Sequence, residues 1–205
     1  MIVTETSAPL HKRCPAAQRD ASQPNRDGGV TWAPIPHNLP GTDIHGFAQD
    51  ANNPKRLYAY VVGAGVLASA DGGTTWGAVP TQPPNGGNRI VLATNATGLY
   101  ATATTGLAVS HDQGTSWEPV PGQPGGVISV ATAPDNPLLL YAGTPNGLVK
   151  TSDGGKTWSS IGPRGVIVVA ALAIAPTDPN RVVFVTQTGA LYRRDDAGKS
   201  WRSPQ

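Results

Sequence analysis

Asp43 and His45 stand two positions apart in the run Gly41-Thr42-Asp43-Ile44-His45. In an extended strand alternate residues share a face, so this carboxylate and imidazole can meet. Such a pair could carry acid–base chemistry near neutral pH. The commoner use of the same geometry is a hydrogen-bonded pair at a strand entrance. A larger set of carboxylates is formed by Asp27, Asp71, Asp112, Asp153 and Asp196. Two carboxylates that flank one glycosidic bond can hydrolyse it. These five, however, recur at intervals of 44, 41, 41 and 43 residues, which distributes them over separate structural units instead of converging them on one bond. Lys156-Thr157 after Gly155, and Lys199-Ser200 after Gly198, imitate the end of a phosphate-binding loop. The opening glycine that such a loop needs is replaced by Lys150 and Arg193, so phosphate binding of that kind is excluded. The histidines His11, His37, His45 and His111 show no metal-ligand spacing. The aspartate motifs also lack the alternating acidic ligands of a calcium loop. Neither a metal nor a cofactor is expected.

The elements that position these residues follow from a repeat. Every tryptophan sits in one pattern, Asp-x-Gly-x-Thr/Ser-Trp, and the copies end at Trp32, Trp76, Trp117, Trp158 and Trp201. A period of about 40 residues holds four strands of about six residues with short connections, which is one propeller blade. Between the motifs lie short apolar runs at 44–48, 56–62 and 66–70; at 89–94, 98–103 and 107–111; at 127–132, 138–143 and 148–152; and at 166–175, 181–186 and 190–193. Asn52-Asn53-Pro54, Asp135-Asn136-Pro137 and Thr177-Asp178-Pro179 occupy matching turn positions between the first and second strands. Each motif then turns the chain into a fourth strand that contains its Trp and a following apolar residue, as in Trp76-Gly77-Ala78-Val79. The Asp accepts hydrogen bonds from its own hairpin, and the following Gly supplies positive φ. The indole is aimed between sheets with a large apolar area to bury, and truncation to Ala is expected to cost about 3–5 kcal/mol. A Trp-Asp repeat of similar period is excluded, because Ser or Thr precedes each Trp and no Asp follows it.

The chain is therefore expected to be all-β, a β-propeller of four complete four-stranded blades plus the outer strand of a further blade near residues 30–35. Residues 1–24 form an irregular N-terminal segment and 25–205 the propeller domain. A small closed ring with an extra strand, an open arc, and part of a larger ring all fit this count; the incomplete or open propeller is preferred. An open arc exposes strand edges and apolar blade faces, so a homo-oligomer that completes the ring is one expected arrangement.

Composition narrows the partners. Net charge is +2 with 14% charged residues, too little to argue for nucleic acid or an anionic membrane. The single Cys14 excludes an intrachain disulfide. No stretch has the length or apolarity of a membrane span, and no signal peptide is evident, so the compartment is left open. Arg193, Arg194, Lys199 and Arg202 cluster near the C-terminus and read as a solvated face.

The repeat resembles the bacterial neuraminidase, or Asp-box, repeat of sialidases, sortilin-type receptors, xyloglucanase-like hydrolases and photosystem II assembly factors. The resemblance runs from residue 25 to 201. It implies that the box aspartates and tryptophans are structural, and it allows carbohydrate hydrolysis as one activity. Related repeat proteins are often exported. Sialidase chemistry would require an arginine triad, a Tyr–Glu nucleophile pair and an acidic Asp. Arg89 and Arg164 give at most two arginines, and the glutamates are Glu5, in the N-terminal segment, and Glu118, directly after Trp117. The Phe-Arg-Ile-Pro motif is absent, and the catalytic set does not carry over. In propellers, ligands meet the loops that enter the first strand and those that join the second and third. Asp43, His45, Asn88, Arg89, Asn146 and Arg164 belong to that face here. The expectation is a scaffold that presents loops to a protein or carbohydrate ligand. The alternative is a sialidase-like or other glycoside hydrolase whose site is degenerate or completed by another subunit.

Overall fold

The computed structural model describes residues 36–84, 90–103, 105–133, 135–163, 165, 168–175, 177–194 and 201–202. Within them every element is a strand. The first sheet holds β1 (Ile44–Gln49), β2 (Leu57–Val61), β3 (Gly65–Ser69) and β4 (Gly77–Ala78). The second holds β5 (Leu92–Thr94), β6 (Leu99–Ala103), β7 (Gly106–Ser110) and β8 (Glu118–Pro119). The third holds β9 (Ser129–Ala133), β10 (Asn136–Thr144), β11 (Gly147–Thr151) and β12 (Ser159–Ser160). The fourth holds β13 (Val169–Ala175), β14 (Asp178–Thr186) and β15 (Leu191–Arg194). Each sheet is an antiparallel meander in chain order. In the fourth, the bridge between Arg193 and Arg202 stands where the fourth strand of the other sheets pairs with the third. The result is four consecutive blades of a β-propeller, as the repeat predicts. The outer strand expected near residues 30–35, together with Asp27 and Trp32, lies outside the described residues.

Apolar residues at alternate positions of each strand face the two neighbouring blades, so the core consists of seams between sheets. Tyr58, Tyr60, Val66 and Val79 of the first blade meet Leu92, Leu99 and Ala101 of the second. Val91, Tyr100, Leu107 and Val109 meet Val130, Leu140 and Ala142 of the third. Tyr141, Leu148 and Leu139 meet Leu172, Ile174 and Phe184 of the fourth. The recurrent aromatic of the second strand (Tyr58, Tyr100, Tyr141, Phe184) is buried in every blade. Side-chain hydrogen bonds stitch the same seams. Asn52 Nδ2 donates to Ala96 O (3.0 Å), Asn95 Nδ2 to Pro137 O (3.2 Å) and Tyr141 Oη to Pro179 O (2.9 Å). Nearer the axis, Thr94 donates to Gln49 O and Thr132 to Thr94 O.

The inner strands pack in series, β1 on β5, β5 on β9 and β9 on β13, and no packing of comparable extent joins β13 to β1. Among the described residues the blades therefore form an arc. Burial agrees: β6, β7 and β9 in the middle of the arc are buried at every residue. In the terminal blade Ala171, Ala173, Val183 and Val185 are only half-buried, and Leu191 beside them is 39% exposed. None of the described elements is a helix, hence none is long and apolar enough to cross a membrane.

Candidate functional site

The two ends of the blades differ in kind. At one end the third strand turns into the fourth through the Asp box, and each box is closed by its own side chains. Asp71 Oδ1 accepts from Thr74 N (3.0 Å) and Thr75 N (2.9 Å), while Oδ2 accepts from Thr75 Oγ1 (2.6 Å). Asp112 accepts from Ser116 N (2.8 Å) and Ser116 Oγ (2.6 Å). Asp153 accepts from Thr157 N (3.0 Å) and Thr157 Oγ1 (2.6 Å). A second brace comes from upstream. Ser69, Ser110 and Thr151 each donate to the box aspartate and accept from the N–H of the second box glycine, as in Gly73 N to Ser69 Oγ at 2.9 Å. The sequence reading missed this brace, although a hydroxyl two residues before Asp recurs in three copies.

These bonds hold the carboxylates ionised. The Ser116 hydroxyl, then its N–H, brings Asp112 down to about 2 from the ordinary 3.8. Asp71 is held far below the usual range, chiefly by the Thr75 hydroxyl and then its N–H. Asp153 is likewise depressed, first by the Thr151 hydroxyl and then by that of Thr157. A carboxylate whose folded pKa lies below its unfolded value contributes stability above the unfolded value and loses it as pH falls through the folded one. The melting temperature is thus expected to fall as pH is lowered from about 4 towards 2, with Asp71 and Asp153 extending the loss further. Asp112→Asn should flatten that part of the profile. A melting curve in which wild type and Asp112→Asn fall in parallel would remove the carboxylate from this role. Fixed as acceptors within three separate turns, Asp71, Asp112 and Asp153 have no shared substrate to act on.

The other end gathers the loops entering the first strand and those joining the second to the third. Val62 N donates to Asp43 O (2.9 Å), which ties the entering loop to the hairpin after β2. Val66 N donates to Gln82 Oε1 (2.6 Å) and Gln82 Nε2 to Val66 O (3.0 Å). Leu107 N makes the equivalent bond to Gln123 Oε1. Both glutamines stand six residues after a box Trp and clamp the edge of the blade just completed. Sequence reading passed over them, and only the shared offset signals them. Arg164 occupies the same offset after Trp158.

On this face Asp43 and His45 do meet, with His45 Nε2 2.9 Å from Asp43 Oδ1 and the side chains 37% and 67% exposed respectively. Asn146 is an exposed turn residue whose N–H donates to Thr144 Oγ1 (3.1 Å). Asn88, Arg89 and Arg164 lie outside the described residues, as does Asp196. Asp43 is the sole carboxylate among the described loop segments 36–45, 63–65, 81–84, 105–106, 122–126, 144–147, 162–163, 165 and 187–189. No group of three or more His, Cys, Asp or Glu able to hold a metal occurs among the described residues.

The C-terminal basic cluster departs from expectation. Arg193 and Arg202 are exposed, but Arg194 is 2% exposed and lies over the Trp201 indole at 5.5 Å. Strand alternation explains it, since neighbours on β15 face opposite sides and Arg194 takes the inward one. Lys199 lies outside the described residues.

The model of the photosynthesis system II assembly factor YCF48 family matches residues 89–204. The chain belongs to that family. No curated protein matches the sequence. Among solved structures, a GH74 enzyme of Niastella koreensis is similar at TM-score 0.62 and 20% identity, over 78% of this chain and 30% of that one. The GH74 xyloglucanase of Xanthomonas campestris is similar at TM-score 0.61 and 23% identity, over 80% and 30%. A YCF48 bound to a D1 peptide is similar at TM-score 0.57 and 16% identity, over 86% and 59%. The chain thus spans less than a third of the GH74 structures. At these identities the likeness is one of fold: an Asp-box propeller, a scaffold on which different sites are built.

Proposed function

We propose that the chain is a non-catalytic propeller scaffold whose loop face binds a protein segment. Asp43, His45 and Asn146 would contribute contacts, with Asn88, Arg89 and Arg164 from the flanking segments. The observation that carries this reading is that Asp43 is the single carboxylate among the described residues of that face. Retaining and inverting glycoside hydrolysis both need two carboxyl groups across one cleft, and Asp43 is met by an imidazole instead. Its described loops are rich in Gly, Pro, Asn and Thr, whose carbonyl, amide and hydroxyl groups offer hydrogen-bonding positions to a peptide. Among family members, a YCF48 structure holds a D1 peptide, which favours a polypeptide over a carbohydrate as the partner class.

The test is to probe peptide and glycan arrays with the full chain, then titrate the strongest peptide by fluorescence anisotropy. Saturable peptide binding is expected, weakened about tenfold by Arg89→Ala or Asn146→Ala with an unchanged melting temperature. Recognition of glycans alone would overturn the reading. So would turnover of a fluorogenic glycoside that disappears in Asp43→Asn.

A further inference from the structure

Arg194 stands where Ser69, Ser110 and Thr151 stand in the other blades, two residues before a box aspartate. An arginine cannot repeat the short hydroxyl brace. Instead its side chain runs inward, 2% exposed, with the guanidinium over Trp201. Its Nε is buried without a hydrogen-bond partner. The ion pairs among the described residues are His45 with Asp43 and His111 with Glu118, so no described carboxylate balances Arg194. A buried guanidinium with an unpartnered Nε and no described counter-charge is unfavourable, and proteins normally satisfy such a group with an anion.

The surroundings are arranged for one. Arg194 lines a cleft of about 470 Å³ between the third and fourth blades, together with Lys150, Ser152, Thr157, Ser159 and Ser160. Lys150 is a second cation, half-buried, whose pKa is lowered by burial and then by the charge of Arg194. Two like charges held in one cleft repel each other, and an anion between them reverses that term. Ser152 and Ser160 are exposed at the cleft and can turn their hydroxyls towards a ligand, whereas the Thr157 hydroxyl is committed to Asp153. A planar fork, a point cation and hydroxyls from two neighbouring segments provide donors in several directions. That spread suits a tetrahedral oxyanion better than a flat carboxylate.

We propose that the cleft between the third and fourth blades binds a phosphate or sulfate group through Arg194, Lys150 and the adjoining serine hydroxyls. This site is at the box-side seam and does not depend on the loop-face reading above. The cleft is several times larger than a bare oxyanion, so it has room for the organic part of a monoester.

The experiment follows the thermal unfolding of the full chain with sodium phosphate, sodium sulfate and sodium chloride at matched ionic strength, and then titrates glucose 6-phosphate against glucose by calorimetry. Phosphate or sulfate should raise the melting temperature beyond chloride, and Lys150→Gln should weaken binding at least tenfold while leaving the unliganded melting temperature close to wild type. Arg194→Gln should abolish binding; should it fail to fold, Lys150→Gln and Ser160→Ala still decide the matter. Tighter binding of glucose 6-phosphate than of inorganic phosphate identifies the source as a monoester, and equal binding identifies it as the free anion. Equal effects of chloride and phosphate, or unchanged phosphate binding in Lys150→Gln, would overturn the proposal.

Discussion

Gly155→Ala is expected to lower the unfolding free energy by roughly 2–5 kcal/mol, whereas Gly154→Ala next to it should cost only about 1–2 kcal/mol. Both glycines have positive φ, 75° at Gly154 and 96° at Gly155, a region that costs any L side chain. Their surroundings differ. A Cβ on Gly154 would meet only the Leu138 side chain, at 3.3 Å, but one on Gly155 would sit 2.3 Å from Val120 Cγ1 and 3.2 Å from Pro121 O. Gly155 is the point where the box of the third blade presses against the second, so the substitution adds overpacking to backbone strain. The box of the second blade already shows that the first position tolerates a side chain, because Gln113 is there with φ 64°. In the fifth copy Ala197 holds the same place, while Gly198 is kept. Equilibrium denaturation of the two variants checks this, and equal losses would show that φ alone governs the box.

That contrast also shows what could be read from the sequence. The Asp-x-Gly spacing located the hairpins, because the bonds from the Asp carboxylate to the Thr or Ser four residues on close within the motif. The alternating apolar runs between boxes located the strands to within a few residues, β14 and β10 starting somewhat earlier than expected. What lay beyond reach depends on which blade sits beside which residue. The Ser69, Ser110 and Thr151 braces are local and leave a recurring hydroxyl two residues before Asp, a signal that was passed over. Gln82 and Gln123 act across a connection, and their partners are backbone atoms 16 residues upstream, with no residue-type signature. Arg194 was misread for a related reason. Charge composition placed it in a solvated cluster, and strand parity, together with the indole it lies over, places it in the seam. Asp43 and His45 were legible as a pair because two-residue spacing on a strand is itself geometric; their role is not encoded in that spacing.

Trp158→Ala should destabilise the chain by about 2–3 kcal/mol, below the full-burial expectation. The indoles of Trp76, Trp117, Trp158 and Trp201 are half-buried, so each removes only part of its surface from water. Trp158 packs on the seam between the second and third blades, and its Nε1 donates to Gly155 O at 2.9 Å within its own box. Trp117 and Trp201 use the same group differently, donating to Thr81 O (2.8 Å) and Ile161 O (2.6 Å) of the preceding blade. A tryptophan therefore either closes its own hairpin or fastens it to the neighbouring blade. Trp158→Phe keeps most of the apolar contact and loses the local bond, for a cost of about 1 kcal/mol. Trp117→Phe loses a bond that spans two blades, so its effect should extend to the exchange of the Thr81 segment with deuterated solvent. Hydrogen exchange on both Phe variants distinguishes the roles: faster exchange around Thr81 in Trp117→Phe, and no change in the second blade in Trp158→Phe. Protection lost equally in both would mean that the indoles act only as apolar filling, and that the arc is held by its seams without these fasteners.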